Sequence, residues 1–176
     1  MLTGPEIKRL IGTGELCVTP FNESQCNPAS YDLTLGHEIR EFGLHPDTVL
    51  DLRYNVPGWG YAMPLDSYGF ELLPGRGYLA HTVETVGDPT ASYVGVVNGK
   101  SSLGRIFLSV HSTAGFVDSG FNGQITLELS CLYATRIYPG MRIAQIAWYK
   151  TVGDKLSYAD TGRYQGQLGA TPSRGV

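Results

Sequence analysis

The sequence predicts an all-β fold, a barrel or jelly-roll-like sandwich of short strands with small helical additions. Three observations point there. Glycine (23) and tyrosine (11) are plentiful among 176 residues while only 16% are charged, which suits short strands joined by glycine turns. Six stretches read as strands: YDLTLG, GYLAHTVETV, YVGVVNG, RIFLSVHS, GQITLELS and MRIAQIAWYK, separated by glycine, proline and asparagine. One amphipathic stretch alone reads as a helix.

That helix comes first. Thr3 and Glu6 have capping-box spacing around Pro5, Ile7, Leu10 and Ile11 follow, and Gly12 and Gly14 are its stop signals. Residues 51–68 (DLRYNVPGWGYAMPLDSY) read as an irregular excursion. From Ser157 on the chain is polar, glycine-rich and without periodicity. With no repeat and no linker in sight, residues 1–176 read as one domain with 157–176 as its C-terminal tail.

Charge and cysteine usage narrow the function classes. A formal net charge of -3 and a pI near 5.8 provide no basic patch for nucleic acid or a membrane surface. Cys17, Cys26 and Cys131 form no C-x-x-C pair and are odd in number, as expected of reduced thiols in the cytoplasm. The opening MLTGPEIKRL has no long apolar run, so neither a signal peptide nor a spanning helix is expected.

The chemistry concentrates in GKSSLGRIFLSVHSTAGFVDSGFNGQITLELS, residues 99–130. GRIFLSVHS and GQITLELS alternate as antiparallel strands, joined by TAGFVDSGFN. Counting by two from Glu128 puts Thr126 and Gln124 on its face and Leu127 and Leu129 on the other. Glu128 is therefore expected to face inward or into a cleft, costly for a carboxylate unless it is paired or catalytic. Arg105, His111 and Thr113 are expected across the hairpin. A carboxylate held by an arginine and a hydroxyl can position and deprotonate a water. The competing reading, a structural Arg–Glu pair in a half-buried sheet, is favoured on pattern alone. GKSSLGR offers backbone N–H groups, hydroxyls and a lysine for phosphate, although it lacks P-loop spacing and a polar turn would explain it equally well.

Several motifs in order resemble the dCTP deaminase branch of the dUTPase superfamily: PFNESQCNPASYDLTLG, GKSSLGR, VHSTAGFVDSGFNGQITLELS, PGMRIAQI and the tail RYQGQLGATPS. The resemblance covers nearly the whole chain. It implies a dUTPase-like distorted β-barrel, or double-sheet jelly roll, with a short N-terminal helix, assembled as a homotrimer with active sites between subunits. It implies Glu128 as general base and acid, taking a proton from the water that attacks cytosine C4 and then helping ammonia leave. Arg105 and Ser101 match positions that hold this glutamate and the water or leaving group. Ser101 and Ser102 also match phosphate ligands, and Lys100 stands where other members have arginine. Thr113 and Ala114 match residues that fit the pyrimidine. Asp118 matches the aspartate under the deoxyribose 3′-hydroxyl, and Phe121 the aromatic packed on the sugar. In the tail, Tyr158, Arg163, Tyr164 and Gln167 match the segment that closes over base and triphosphate. The spacing upstream of Arg163 is shortened, and arginine replaces the usual lysine there, keeping the charge but changing donor geometry.

The implied metal is magnesium carried on the triphosphate, with no protein ligand needed. Zinc is not expected, because the H-x-E and P-C-x-x-C signatures of zinc deaminases do not occur. The ligands implied are dCTP and dUTP, and dTTP inhibition is a further expectation from relatives. His111 reads as a hydrogen-bonded strand residue supporting the site, with a direct acid–base role as the competing reading. Asp32 reads as a stabiliser of the fold or a subunit contact, Trp59 and Trp148 as core or interface, and Cys131 as a small buried hydrophobe.

Three functions stay open at this point. The first is a bifunctional enzyme turning dCTP into dUMP, ammonia and pyrophosphate. The second is a deaminase that stops at dUTP or acts on dCMP or a modified cytosine nucleotide. The third is a catalytically silent nucleotide-binding regulator. SSLGR with HSTAGF resembles the bifunctional members; deaminases that stop at dUTP usually carry alanine at the Gly104 position and histidine at the Gly115 position. Glycine at 115 is read as leaving the loop freer for water near the α-phosphate.

Overall fold

The computed structural model describes residues 1–45, 47–54 and 58–175. In chain order it contains α1 (Gly4–Thr13), β1 (Cys17–Thr19), β2 (Tyr31–Glu41), β3 (Met63–Pro64), β4 (Phe70–Leu72) and β5 (Tyr78–Gly87). There follow β6 (Tyr93–Gly99), α2 (Ser101–Gly104), β7 (Leu108–Ser109), β8 (Phe116–Val117), β9 (Asn122–Cys131), β10 (Thr135–Ile137), β11 (Arg142–Lys150) and α3 (Tyr158–Thr161). The expected mostly-β architecture is what forms.

Among the described residues one curled sheet runs in the order β7-β9-β5-β2-β11-β6-β8, with β1 added to β5 and β3 to β2. Its ladders are antiparallel. β4 and β10 form a separate pair. Non-consecutive neighbours dominate, so the sheet curls around one core instead of lying flat as a meander. Leu33, Leu35, Ile39, Leu127, Ile143 and Ile146 are fully buried in it. Each such side chain contributes about 1.5–3 kcal/mol by leaving water.

The expected helix is present, but its start differs from the expected capping box. Thr3 is the N-cap, yet its side chain makes no capping bond. Glu6 is held instead by Arg9, whose Nε and Nη2 donate to its two oxygens over 2.9 and 2.8 Å. Ile7 and Leu10 bury completely. Gly12 lies inside the helix, and Gly14 ends it with φ +76°, a left-handed conformation that glycine adopts without a Cβ penalty. At the other end Gly4 presses on the backbone of Asn27, where a Cβ would lie 2.1 Å from its carbonyl oxygen.

β9 shows the period-two pattern read from the sequence. Gly123, Ile125, Leu127, Leu129 and Cys131 are buried; Gln124, Thr126, Glu128 and Ser130 form the half-buried face. Its partner across the expected hairpin is shorter than RIFLSVHS. Residues 101–104 are helical and 105–107 turn, so pairing begins only at Leu108, opposite Cys131. The long partner of β9 is β5, which sets Leu79 opposite Glu128 and His81 opposite Thr126. The excursion at 51–68 is mostly irregular where described, apart from β3 and a bridge between Phe42 and Trp59. No helix among the described residues is long and apolar enough to cross a membrane.

Candidate active site

The half-buried face of β9 forms the floor of a cavity of about 640 Å³. Glu128 lies in it with Thr113, Ala114, Asp118, Phe121, Tyr158, Tyr164 and Gln167, bringing eight of the expected residues together. The carboxylate is oriented from the loop opposite: Ser112 donates its backbone N–H to Glu128 Oε2 over 2.8 Å. Oε1 has no hydrogen-bond donor among the described residues, and Glu128 is one of the residues that line the cavity.

The loop 112–117 is held close to the sheet. Val97 N–H donates to Gly115 O over 2.7 Å, and a Cβ at Gly115 would lie 2.9 Å from Val97 O. Glycine therefore suits a close backbone approach, and the loop is held at Gly115 where the sequence suggested that it would be freer. Gly104, by contrast, has nothing within 4 Å of a built Cβ.

Asp118 stands in the turn between β8 and β9, where its carbonyl accepts the Phe121 N–H over 3.1 Å. Phe121 packs edge-on against Tyr158, centroids 5.7 Å apart. The tail passes over this pair: Tyr158 N–H donates to Ser119 O over 2.8 Å, and Tyr164 N–H to Tyr158 Oη over 3.1 Å. Arg174 lies over the Tyr164 ring at 5.4 Å. Arg163 is exposed and donates to Gly175 O.

The remaining expected residues lie elsewhere. Lys100 and Ser101 line a second hollow of about 320 Å³ together with His111. Ser102 and Arg105 are exposed on and just after α2. Arg105 thus makes no pair with Glu128, correcting the expected neighbourhood: the turns at 101–107 carry it away from the hairpin. Lys100 is not free for phosphate either, because its ammonium pairs with Asp32, which is 1% exposed. Asn27 Nδ2 also donates to Asp32 over 2.7 Å, and Arg142 approaches at 3.5 Å, so Asp32 ties β2, α2 and β11 together.

His111 lies outside any strand, and its Nδ1 is buried without a partner among the described residues, unlike the hydrogen-bonded strand residue expected. Trp148 is core, but Trp59 lines the cavity, packed on Phe42 with centroids 4.7 Å apart. Cys131 is buried, and desolvation raises its thiol pKa, as suits an inert hydrophobe. Among the described residues no three His, Cys, Asp or Glu side chains cluster as a metal-binding group. The sequence reading did not single out the residues that seat the tail, Glu38 and Gln124. Only the placement of Gln124 on the face of Glu128 hinted at it.

Residues 1–151 match the family described as dCTP deaminase-like. The chain belongs to that family. A relative in Clostridium acetobutylicum, named dCTP deaminase, dUMP-forming, is 38% identical over 173 residues, covering 98% of this chain and 95% of its own. One of the same name in Beutenbergia cavernae is 38% identical over 181 residues, covering 99% and 94%. Among solved structures, the 2′-deoxycytidine 5′-triphosphate deaminase of Agrobacterium tumefaciens superposes with TM-score 0.66 at 22% identity, over 84% of this chain. The match spans about half of that solved chain, 47%. The EIAV dUTPase gives 0.52 at 16% identity, over 84% of this chain and 98% of its own. At these identities the two structures speak for the fold, which is dUTPase-like.

Proposed function

We propose that this dCTP deaminase-like chain hydrolyses dCTP at cytosine C4 and at the triphosphate, consuming two waters and releasing ammonia, pyrophosphate and dUMP. The observation that carries this is Glu128: it lines a cavity of nucleotide size, one carboxylate oxygen accepts the Ser112 N–H, and the other has no donor among the described residues. That second oxygen takes a proton from the attacking water, and the same carboxyl returns it as ammonia leaves the tetrahedral C4. Phe121 and Asp118 would meet the deoxyribose, Thr113 and Ala114 the pyrimidine.

The cavity itself supports an assembly. Its lining contains Asp118 and Glu128 but no lysine or arginine among the described residues, so it cannot neutralise a triphosphate alone. Ser101, Ser102, Lys100 and Arg105 lie on another surface of the same chain. A homotrimer with each site between subunits would bring one chain's Ser101 and Arg105 to another's Glu128. The C-terminal tail would close over the bound nucleotide, with Arg163 adding its charge against the triphosphate. Magnesium would arrive on the triphosphate, held by phosphate oxygens and water and lowering the charge to be met. Cytoplasmic action and dTTP inhibition belong to the same proposal.

Incubation with dCTP, dCMP and dUTP, with nucleotides, ammonia and pyrophosphate resolved over time, tests the reading. Ammonia and pyrophosphate should rise in step from dCTP, leaving dUMP. Persistent stoichiometric dUTP would show a deaminase only, and no turnover a silent nucleotide binder.

A further inference from the structure

The outer edge of β9 is shared by two segments, and Glu128 sits where one of them begins. Glu128 N–H donates to Val110 O over 3.0 Å; farther back, Gln124 N–H donates to Gln167 O over 3.0 Å and Gly166 N–H to Asn122 O over 2.8 Å. The tail thus docks as an added edge segment on the catalytic strand. Gln124 does more than join this ladder. Its Oε1 accepts the Gly169 N–H over 2.7 Å, its Nε2 donates to Val83 O on β5 over 3.2 Å, and its carbonyl accepts Gln167 Nε2 over 2.8 Å. From β2, Glu38 Oε1 accepts the Ala170 N–H over 3.1 Å.

Two glycines make room for this seat. A Cβ on Gly123 would lie 3.1 Å from both the nitrogen and the oxygen of Gln167. Gly169 has φ +69°, and a Cβ there would lie 3.2 Å from Glu38 Oε1. A carboxamide suits position 124 because it accepts from the tail and donates to β5 at once, which neither a carboxylate nor an aliphatic side chain does.

We infer that Gln124, supported by Glu38, is a positioning residue for the reaction: it fixes the docked tail that holds Tyr164 and Gln167 in the Glu128 cavity. The inference rests on the reading of that cavity as the catalytic one, but its first test does not depend on turnover. Trypsin cuts after Arg163, and the following N–H is bonded to Tyr158 in the docked tail. Gln124→Ala loses its side-chain hydrogen bond to the tail at Gly169, so cleavage after Arg163 should quicken about tenfold. Cleavage after Arg142 and Lys150 in β11 should stay slow, reporting an intact sheet. Glu38→Ala should expose the same bond from the other strand.

In turnover, kcat/KM for dCTP should fall about tenfold in Gln124→Ala. In a Gly169→Val background, where the tail is already displaced, adding Gln124→Ala should change little. Unchanged tail cleavage in both Gln124→Ala and Glu38→Ala, or full additivity with Gly169→Val, would overturn the inference. Selective tail cleavage in a protein that deaminates nothing would sustain the seat while refuting the function proposed above.

Discussion

Ser112 donates its backbone N–H to Glu128 Oε2 over 2.8 Å, and Glu128 returns its own N–H to Val110 O over 3.0 Å. β9 and the facing loop are thereby joined at two successive levels, and the carboxylate is held toward the loop. An amide oxygen can accept the Ser112 N–H equally well, but an amide takes no proton from water. Glu128→Gln is therefore expected to fold and bind dCTP while ammonia release falls by about a hundredfold or more. Calorimetric binding together with an ammonia assay checks this. Release near the wild-type rate would remove Glu128 from the mechanism.

A second prediction follows from the tail lying on the β9 strand of its own chain. In a trimer with shared sites, Glu128 and the tail then come from one subunit and Arg105 from another. Mixing Arg105→Ala chains with chains carrying Tyr164→Ala and Gln167→Ala should restore activity once subunits exchange, because some sites regain all three parts. Mixing Glu128→Gln chains with the same tail variant should restore none, since no chain offers both the glutamate and a working tail. Activity in the second mixture would mean that the tail crosses to a neighbour, and a fully active monomer on sedimentation would sink the shared site.

His81 carries a third prediction. Its ring is 2% exposed, and it fills the space beside Gly36, where a Cβ would lie 2.2 Å from it. Nδ1 meets Thr82 O at 2.9 Å and Nε2 has no partner among the described residues, so burial pushes the pKa below the usual 6.5 despite the nearby Glu38. The folded chain therefore resists the proton that the unfolded chain accepts. Stability should be full above pH 6.5 and fall as the pH drops below it, by up to about 1.4 kcal/mol per pH unit for one proton. Denaturant unfolding at pH 7.5, 6.5 and 5.5 measures the slope, and His81→Gln should flatten it. Equal slopes in the two proteins would acquit His81.

These residues also show how far the sequence could be read. Glu128 and its face were legible because β-strand alternation is local and has a period of two, and β9 keeps it for ten residues. The N-terminal helix was legible, but not its cap, since Glu6 found Arg9 before it found the Thr3 backbone. Arg105 was misplaced because a short helical turn, closed by Leu103 and Gly104 N–H groups on Lys100 O, replaced the expected strand. The tail seat was invisible: Gln124 and Gly169, or Glu38 and Ala170, meet only after the sheet has curled and the tail has come back to it. Trp59 reached the cavity by the same route, from a segment that had read as irregular.

The last prediction concerns the second hydrolysis. Asp118 and Glu128 line one cavity from different places, Asp118 in the turn and Glu128 on the strand that follows. The turn is tightly held: Gly120 has φ +87°, and a Cβ there would lie 2.2 Å from Ser157 Oγ, while Ser119 Oγ donates to Leu156 O over 3.1 Å. The turn that carries Asp118 is thus held by the base of the tail, whereas the Glu128 carboxylate is held by the loop at Ser112. Two carboxylates that line one cavity from separately held segments can serve two waters, one at C4 and one at the α-phosphorus. Asp118→Asn should then slow pyrophosphate release by about tenfold or more while ammonia release falls less, so that dUTP accumulates transiently. Glu128→Gln should stop ammonia release yet leave slow conversion of supplied dUTP to dUMP. Time courses from dCTP and dUTP with both variants separate the steps. If Asp118→Asn slows both releases equally, the aspartate only binds the sugar, and the water at phosphorus must be oriented by another group.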